Sequence, residues 1–225
     1  MKVLIFGATG MVGGGVLREC LLAADVDHVQ TVGRTPTSVV DAKLSELVHP
    51  DLFDYSKVES SLQGYDACFF CLGVSAAGMT ESKYSRLTYD GTLAAAATLS
   101  RLNPAMTFVY VSGAGTDSSE HGRIMWARVK GRTENALLRL PFKAVFLFRP
   151  GVIQPMHGAR SKTRSYQFFY TLSSPILPLL HKLFPNSVLT TEGVGRAMLA
   201  LARTGASKAV MEVRDIAVLA RGGTV

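Results

Sequence analysis

The residues best suited to chemistry lie at the start of the sequence. MKVLIFGATGMVGGGV sets Gly7, Gly10 and Gly13 directly behind the apolar run Val3 to Phe6 and ahead of a helix-like pattern. A strand that stops at a glycine turn and restarts as a helix presents backbone N–H groups and the positive end of a helix dipole to an anion. The spacing is G-x-x-G-x-x-G rather than the G-x-G-x-x-G of the common dinucleotide fingerprint, but the strand before it and the helix after it give the loop its meaning. The glycines permit a tight turn, close approach to a pyrophosphate and close helix–strand packing. A phosphate-bearing ligand is the first expectation.

Two further features are weighed against that one. Cys68 and Cys71 form a C-x-x-C inside the run ACFFCLG. In a strand, positions three apart face opposite sides, so the pair is expected to be buried and unable to act as a redox couple. Cys20 is the only other cysteine, so no disulfide framework is expected, and no metal site is expected either. The formal net charge is +7, with basic residues scattered apart from loose clusters at Arg123–Arg132 and Arg160–Arg164. No nucleic-acid motif accompanies the charge. A polyphosphate cofactor or anionic substrate accounts for it better than nucleic acid.

The elements that must position these residues alternate between short apolar strands and longer amphipathic segments. Strands are expected at Lys2–Phe6, His28–Gly33, Leu44–Val48, Ala67–Cys71, Thr107–Ser112, Lys143–Arg149 and Val210–Val213. Helices are expected at Met11–Ala24, Tyr55–Leu62 (brief), Lys83–Leu102, Arg123–Leu140 and Thr191–Arg203, with Thr190 or Thr191 as N-cap of the last. Near-continuous apolar strands alternating with helices imply an α/β fold, a doubly wound parallel sheet of Rossmann type. From Gly151 the pattern loosens. Residues 152–190, with the aromatic and proline-interrupted stretch Gln167–Leu183, are expected to form a small C-terminal helical cap on the substrate side.

With 225 residues, 48% of them apolar, the chain suits one domain spanning 1–225. The most apolar stretch, Phe168 to Leu183, is broken by Pro175, Pro178, His181 and Lys182, so no membrane span is expected. The early glycines, with Asp25 and Asp27 close behind, do not match a secretory leader. A cytoplasmic protein is expected, with a homodimer left open.

The segments GATGMVG, DLFD (51–54), CFFCLG (68–73), VYVSGAG (109–115), RVKGRTE (128–134) and FRPGVI (148–153) occur in an order that resembles the atypical short-chain dehydrogenase/reductases. Within that NAD(P)-binding superfamily the sequence is similar to the NmrA-like, epimerase-like and Tat-interacting oxidoreductase-like branch. The resemblance covers about 200 residues, through TEGVGRAML (191–199).

The resemblance implies roles position by position. Gly7, Thr9, Gly10, Met11 and Val12 match the pyrophosphate loop. Strand 2 ends in VGRT, placing Arg34 where NAD-preferring relatives carry an acidic residue. A guanidinium fork matches phosphate oxygens, so NADP(H) is expected over NAD(H). Asp51 and Leu52 resemble the residues that bracket adenine, and Cys71, Leu72 and Gly73 those that run along the ribose and phosphates. Pro150, Gly151 and Val152 match the turn beside the nicotinamide carboxamide. Ser112 and Lys130 match the catalytic Ser and Lys. The intervening Tyr is replaced by Trp126, four residues before Lys130 and so on the same helix face. An indole donates one hydrogen bond but does not titrate usefully.

Three consequences stay open at this point. Another group (Tyr84, Tyr89 or His121) supplies the proton; or hydride passes to a quinone- or flavin-like acceptor that needs no protein acid; or the protein binds NADP(H) as a regulator or redox sensor with little turnover. The implied activity is NADP(H)-dependent hydride transfer to a small carbonyl, quinone or sugar-like substrate.

Overall fold

A computed structural model describes residues 1–157 and 188–225. Seven parallel strands form the main sheet in the order β3-β2-β1-β4-β5-β6-β9. They are β1 (Lys2–Phe6), β2 (His28–Gly33), β3 (Leu44–Val48), β4 (Ala67–Phe70), β5 (Thr107–Val111), β6 (Ala144–Arg149) and β9 (Val210–Glu212). The order reverses direction beside β1, the first strand, which pairs with β2 on one side and β4 on the other. Open α/β sheets bind ligands at such a switch point, beyond the carboxyl ends of the strands.

The strands are central because both their faces are apolar. Val3 and Ile5 of β1 belong to one core and Leu4 and Phe6 to the other, all fully buried. The first core is closed by α1 (Met11–Leu22), α5 (Thr191–Thr204) and α6 (Val213–Ala220), the second by α3 (Gly91–Leu102) and α4 (Met125–Leu137). Cys68 lies in the second core, and Cys71 packs against the first. The two thiols therefore sit on opposite sides of the sheet, as their spacing in a strand requires.

Several boundaries differ from expectation. The helix expected over Lys83–Leu102 begins at Glu81 as α2 (Glu81–Ser85) and continues into α3, but Arg86–Asp90 between them is a π turn. A π turn changes the phase of a helix and tends to occur near functional sites. Thr80 caps α2 through its side chain, so the helix starts two residues early. Thr190 caps α5 in the same way, accepting from Gly193 N–H at 2.9 Å. The expected cap over 152–190 opens and closes with strands instead of helix: β7 (Val152–Gln154) pairs in parallel with β8 (Val188–Thr190). The expected segment Gln167–Leu183 lies outside the described residues. Among the described residues no helix is long and apolar enough to cross a membrane.

Candidate functional site

The site grows from the β1–α1 turn. Gly7 leaves the strand at φ +80°, in the left-handed region that glycine enters without strain. A Cβ there would stand 2.7 Å from Leu72 N, so the chain after β4 lies directly on the turn. A Cβ on Gly13 would fall 2.2 Å from Gly7 O, so helix and turn touch backbone to backbone. Gly10 caps α1, its N–H donating to Gly7 O at 2.9 Å. Among the described residues no side chain caps this helix, and its first turn carries no acid. The positive helix end is left for a ligand.

Three adjoining cavities make one groove over the carboxyl ends of the strands. The first, of about 350 Å³, is bounded by Gly7–Thr9, Gly33–Thr37, Glu46 and Leu72. A second, of about 460 Å³, runs outward over Asp51–Phe53, Gly73, Leu87 and Gly91 and shares Arg34, Leu52 and Leu72 with the first. The third, of about 600 Å³, lies over Val12, Cys71–Gly73, Ser112, Trp126, Lys130 and Pro150–Gly151, sharing Gly73 and Val74 with the second and Leu72 with both. Each volume is within the range of small-molecule sites, and together they suit an elongated ligand. The groove thus gathers most of the residues singled out in the sequence. Gly10 borders a neighbouring cavity beside α1. Met11 packs against the core and Val152 is exposed on β7; neither lines the groove, and Ile153 does so in place of Val152.

The first cavity carries mixed charge. Arg34 and Glu46 both line it, and Glu46 Oε1 accepts from Thr37 N–H at 2.7 Å as well as from the Thr37 hydroxyl. That carboxylate oxygen is already engaged, and Arg34 forms no ion pair among the described residues.

In the third cavity, β5 and α4 bring the chemistry together. Ser112 N–H donates to Phe148 O at 2.7 Å, fixing the strand end against β6. The Ser112 hydroxyl is 2.9 Å from that of Thr116, whose own proton points to Gly113 O at 2.8 Å. Ser112 therefore donates to Thr116 in this structure. The Trp126 indole covers the turn after β5; a Cβ on Gly113 or Gly115 would lie 3.9 or 3.7 Å from its ring. One turn on, Lys130 Nζ donates to Val111 O at 3.3 Å and Ser112 O at 3.1 Å and lies 5.2 Å from the centre of the Tyr110 ring. Burial pushes its ammonium down to about 8, against the opposing pull of Glu134. Cys71 is pushed up to about 12 by burial, which makes it a poor nucleophile here.

Glu134 and Arg149 anchor this arrangement from below. The carboxylate is almost fully buried and takes a two-point contact from Arg149, Nε to Oε1 at 3.1 Å and Nη2 to Oε2 at 2.5 Å. Arg149 also reaches Glu212 on β9 and Ser118. The pair ties α4, and so Lys130, to β6 and the sheet edge.

Of the three alternative proton sources, only Tyr84 lines the third cavity. Tyr89 lies under the Arg132 guanidinium, 4.1 Å from ring centre to Cζ, and His121 is exposed; neither borders the groove. Sequence reasoning missed Glu46, Phe53, Leu87, Gly91 and the loop residues Val74–Ala77. Leu87 lies within the π turn and Gly91 directly follows it, and no residue pattern announces its phase change.

The family model described as NAD(P)H-binding matches residues 7–137, which run from the glycine turn to the end of α4. The chain belongs to the NAD(P)H-binding family. Membership gives the chain a nicotinamide-dinucleotide-binding domain and agrees with an atypical short-chain dehydrogenase/reductase of Rossmann type. The protein FMP52-2, mitochondrial, of Scheffersomyces stipitis is 30% identical over 164 residues, 72% of this chain and 69% of its own length. The rat protein HTATIP2 is 28% identical over 155 residues, 68% of this chain and 62% of its own. Among solved structures, an oxidoreductase of the short chain dehydrogenase/reductase family from Burkholderia thailandensis superposes with a TM-score of 0.65 at 16% identity. It covers 99% of this chain and 93% of its own and shows the shared fold.

These family relatives correct one expectation. FMP52 proteins of several fungi, among them those of Emericella nidulans and Saccharomyces cerevisiae, are named mitochondrial, which points away from a plain cytoplasmic assignment. The expectation failed because it rested on the lack of a secretory leader and of a membrane span, and neither observation distinguishes the cytosol from an organelle.

Proposed function

We propose that the protein is an NADP(H)-dependent oxidoreductase acting on a small carbonyl, quinone or sugar-like substrate. One observation carries the proposal: Ser112, Trp126 and Lys130 meet in a single cavity that continues the groove from the glycine turn. The residues fit the dinucleotide. The Gly7–Gly13 turn packs backbone to backbone so closely that a Cβ at Gly7 or Gly13 would strike the chain, the uncapped α1 terminus suits the pyrophosphate, and Leu52, Phe53 and Leu87 offer an apolar slot for adenine. Arg34 at the end of β2 suits a 2′-phosphate by charge and fork geometry. Pro150 and Gly151 close the far end by backbone, with Pro150 O held by Ala114 N–H at 2.9 Å.

When bound, the nicotinamide supplies or accepts hydride. With substrate bound, the Ser112 hydroxyl would turn its proton from Thr116 to the substrate oxygen, and Lys130, fixed to the strand end, supplies positive charge beside it. The test is consumption of NADPH across a panel of carbonyl and quinone acceptors, repeated with Ser112→Ala. Turnover of at least one acceptor, falling about 100-fold or more in the variant, is expected from a lost positioning and polarising contact. Tight NADPH binding with no turnover on any acceptor would favour the regulator or sensor reading that Trp126 raises.

A further inference from the structure

We infer that Lys130 is itself the proton donor of the reduction, doing directly what the tyrosine absent at Trp126 would do. The inference rests on the oxidoreductase reading and adds the source of the proton. It follows from what else the cavity holds among the described residues. Ser75 and Ser112 are aliphatic alcohols, and Ser112 already donates to Thr116. The Trp126 indole is not a useful acid. Cys71 would become an anion on giving up a proton, in a place where burial already holds it protonated, and Tyr84 is left as the competitor that the pH–rate test below separates from Lys130. Lys130 differs in sign. It starts as a cation and ends neutral, the direction that burial favours.

Geometry supplies the rest. An ammonium has three donors. Two are held by the carbonyls of Val111 and Ser112, at the end of the strand that also carries the Ser112 hydroxyl, so one remains for the cavity that Lys130 lines. Among the described residues, the charged and titratable groups facing it are few. Glu134 lies one turn along α4 with its carboxylate held by Arg149 of β6; Tyr110 faces it from β5, and Tyr84 lines the same cavity from α2. Glu134 favours the ammonium and burial opposes it. Burial is the larger effect, so the proton leaves near pH 8, close to neutrality as a general acid requires.

The step balances. A carbonyl substrate gains hydride at carbon from the reduced nicotinamide and a proton at oxygen from Lys130 Nζ. The C=O π bond is replaced by C–H and O–H bonds, the lysine is left as a neutral amine, and solvent entering the open cavity reprotonates it.

Two measurements on the full chain test this. The first needs no turnover: with 13C-labelled lysine, the Lys130 side-chain signal, assigned by its loss in Lys130→Arg, is followed against pH. A midpoint near 8 is expected, and one above pH about 10, the ordinary lysine range, overturns the inference. The second is the pH–rate profile with saturating NADPH and a carbonyl acceptor from the panel. Wild-type kcat should fall on the alkaline side with the same midpoint. Lys130→Arg, whose cation does not deprotonate in this range, should lose about 100-fold or more of kcat while NADPH still quenches Trp126 fluorescence. Wild-type kcat in Lys130→Arg, or an alkaline limb abolished by Tyr84→Phe and kept by Lys130→Arg, overturns the lysine's role and leaves the oxidoreductase reading standing. Absence of wild-type turnover on every acceptor overturns both.

Discussion

Adding one methyl group at Gly13 tests whether the β1–α1 turn is built as described. Its Cβ would stand 2.2 Å from Gly7 O, 2.7 Å from Gly7 C and 3.0 Å from Ala8 Cα. Real Cβ atoms essentially never approach a neighbour within 3.0 Å, and the Gly7 oxygen would lie 0.8 Å (3.0 less 2.2) inside that limit. Neither side can give. Gly7 O is held by Gly10 N–H at 2.9 Å, and Gly7 is itself pressed onto the Leu72 backbone. Overpacking usually costs about 1–3 kcal/mol, and two opposed backbones put Gly13→Ala at the upper end, about 3 kcal/mol. In a chain of this size that lowers Tm by roughly 6–12 °C. The adjacent glycine is the control. A Cβ on Gly14 would lie 3.4 Å from Ala8 O, an ordinary contact, and alanine is favoured over glycine in a helix by about 1 kcal/mol. Gly14→Ala should melt within about 4 °C of wild type and on its upper side. Calorimetry without nucleotide gives both shifts, and an NADPH titration should show at least about a tenfold loss, 1.4 kcal/mol, for Gly13→Ala. Wild-type melting and wild-type NADPH affinity in Gly13→Ala would refute the close approach.

Arg34→Glu should weaken NADPH binding by about 10–100-fold, the worth of one or two charge-assisted contacts, and leave NADH within a few-fold; parallel titrations of both nucleotides decide it. Glu134→Gln removes the charge that pairs with Arg149 and should cost about 3–5 kcal/mol in urea unfolding, since breaking a buried pair leaves the other charge uncompensated; a loss under about 1 kcal/mol would contradict the buried pairing. Lys130 also predicts a pH signature in stability. Its folded pKa, about 8, lies below the ordinary lysine value of 10.5. Between those values the unfolded chain binds more protons, so the lysine's contribution to stability rises with pH, by at most about 1.4 kcal/mol per unit, and is flat below pH about 7. The stability of wild type relative to Lys130→Met should therefore improve from pH 8 to 10 in urea unfolding. A difference independent of pH would contradict the lowered pKa.

The sheet was legible because its strands are apolar on both faces. Runs such as Val3–Phe6 and Ala67–Phe70 fit only a parallel sheet covered on both sides, and each forms the strand expected of it. The glycine turn was legible because its chemistry is local, confined to seven residues between a strand and a helix. What stayed hidden is what depends on distant parts of the chain. Glu134 and Arg149 are 15 residues apart and meet only because β6 lies beside β5 and α4 covers both. The π turn at Arg86–Asp90 leaves the apolar pattern of its helix continuous, so Tyr84 and Leu87 could not be assigned to the two ends of the groove. Glu46 read as one strand residue among others, because its place opposite Arg34 is set by the pairing of β3 with β2.

The central claim, a groove that holds NADP(H) with its reactive end beside Trp126, is most directly tested by fluorescence of that residue, the single tryptophan of the chain. Titration with NADPH should quench it strongly and saturably, and NADH should do so much more weakly. No change with either nucleotide would contradict the placement of the cofactor, and an equal response to both would contradict the role of Arg34.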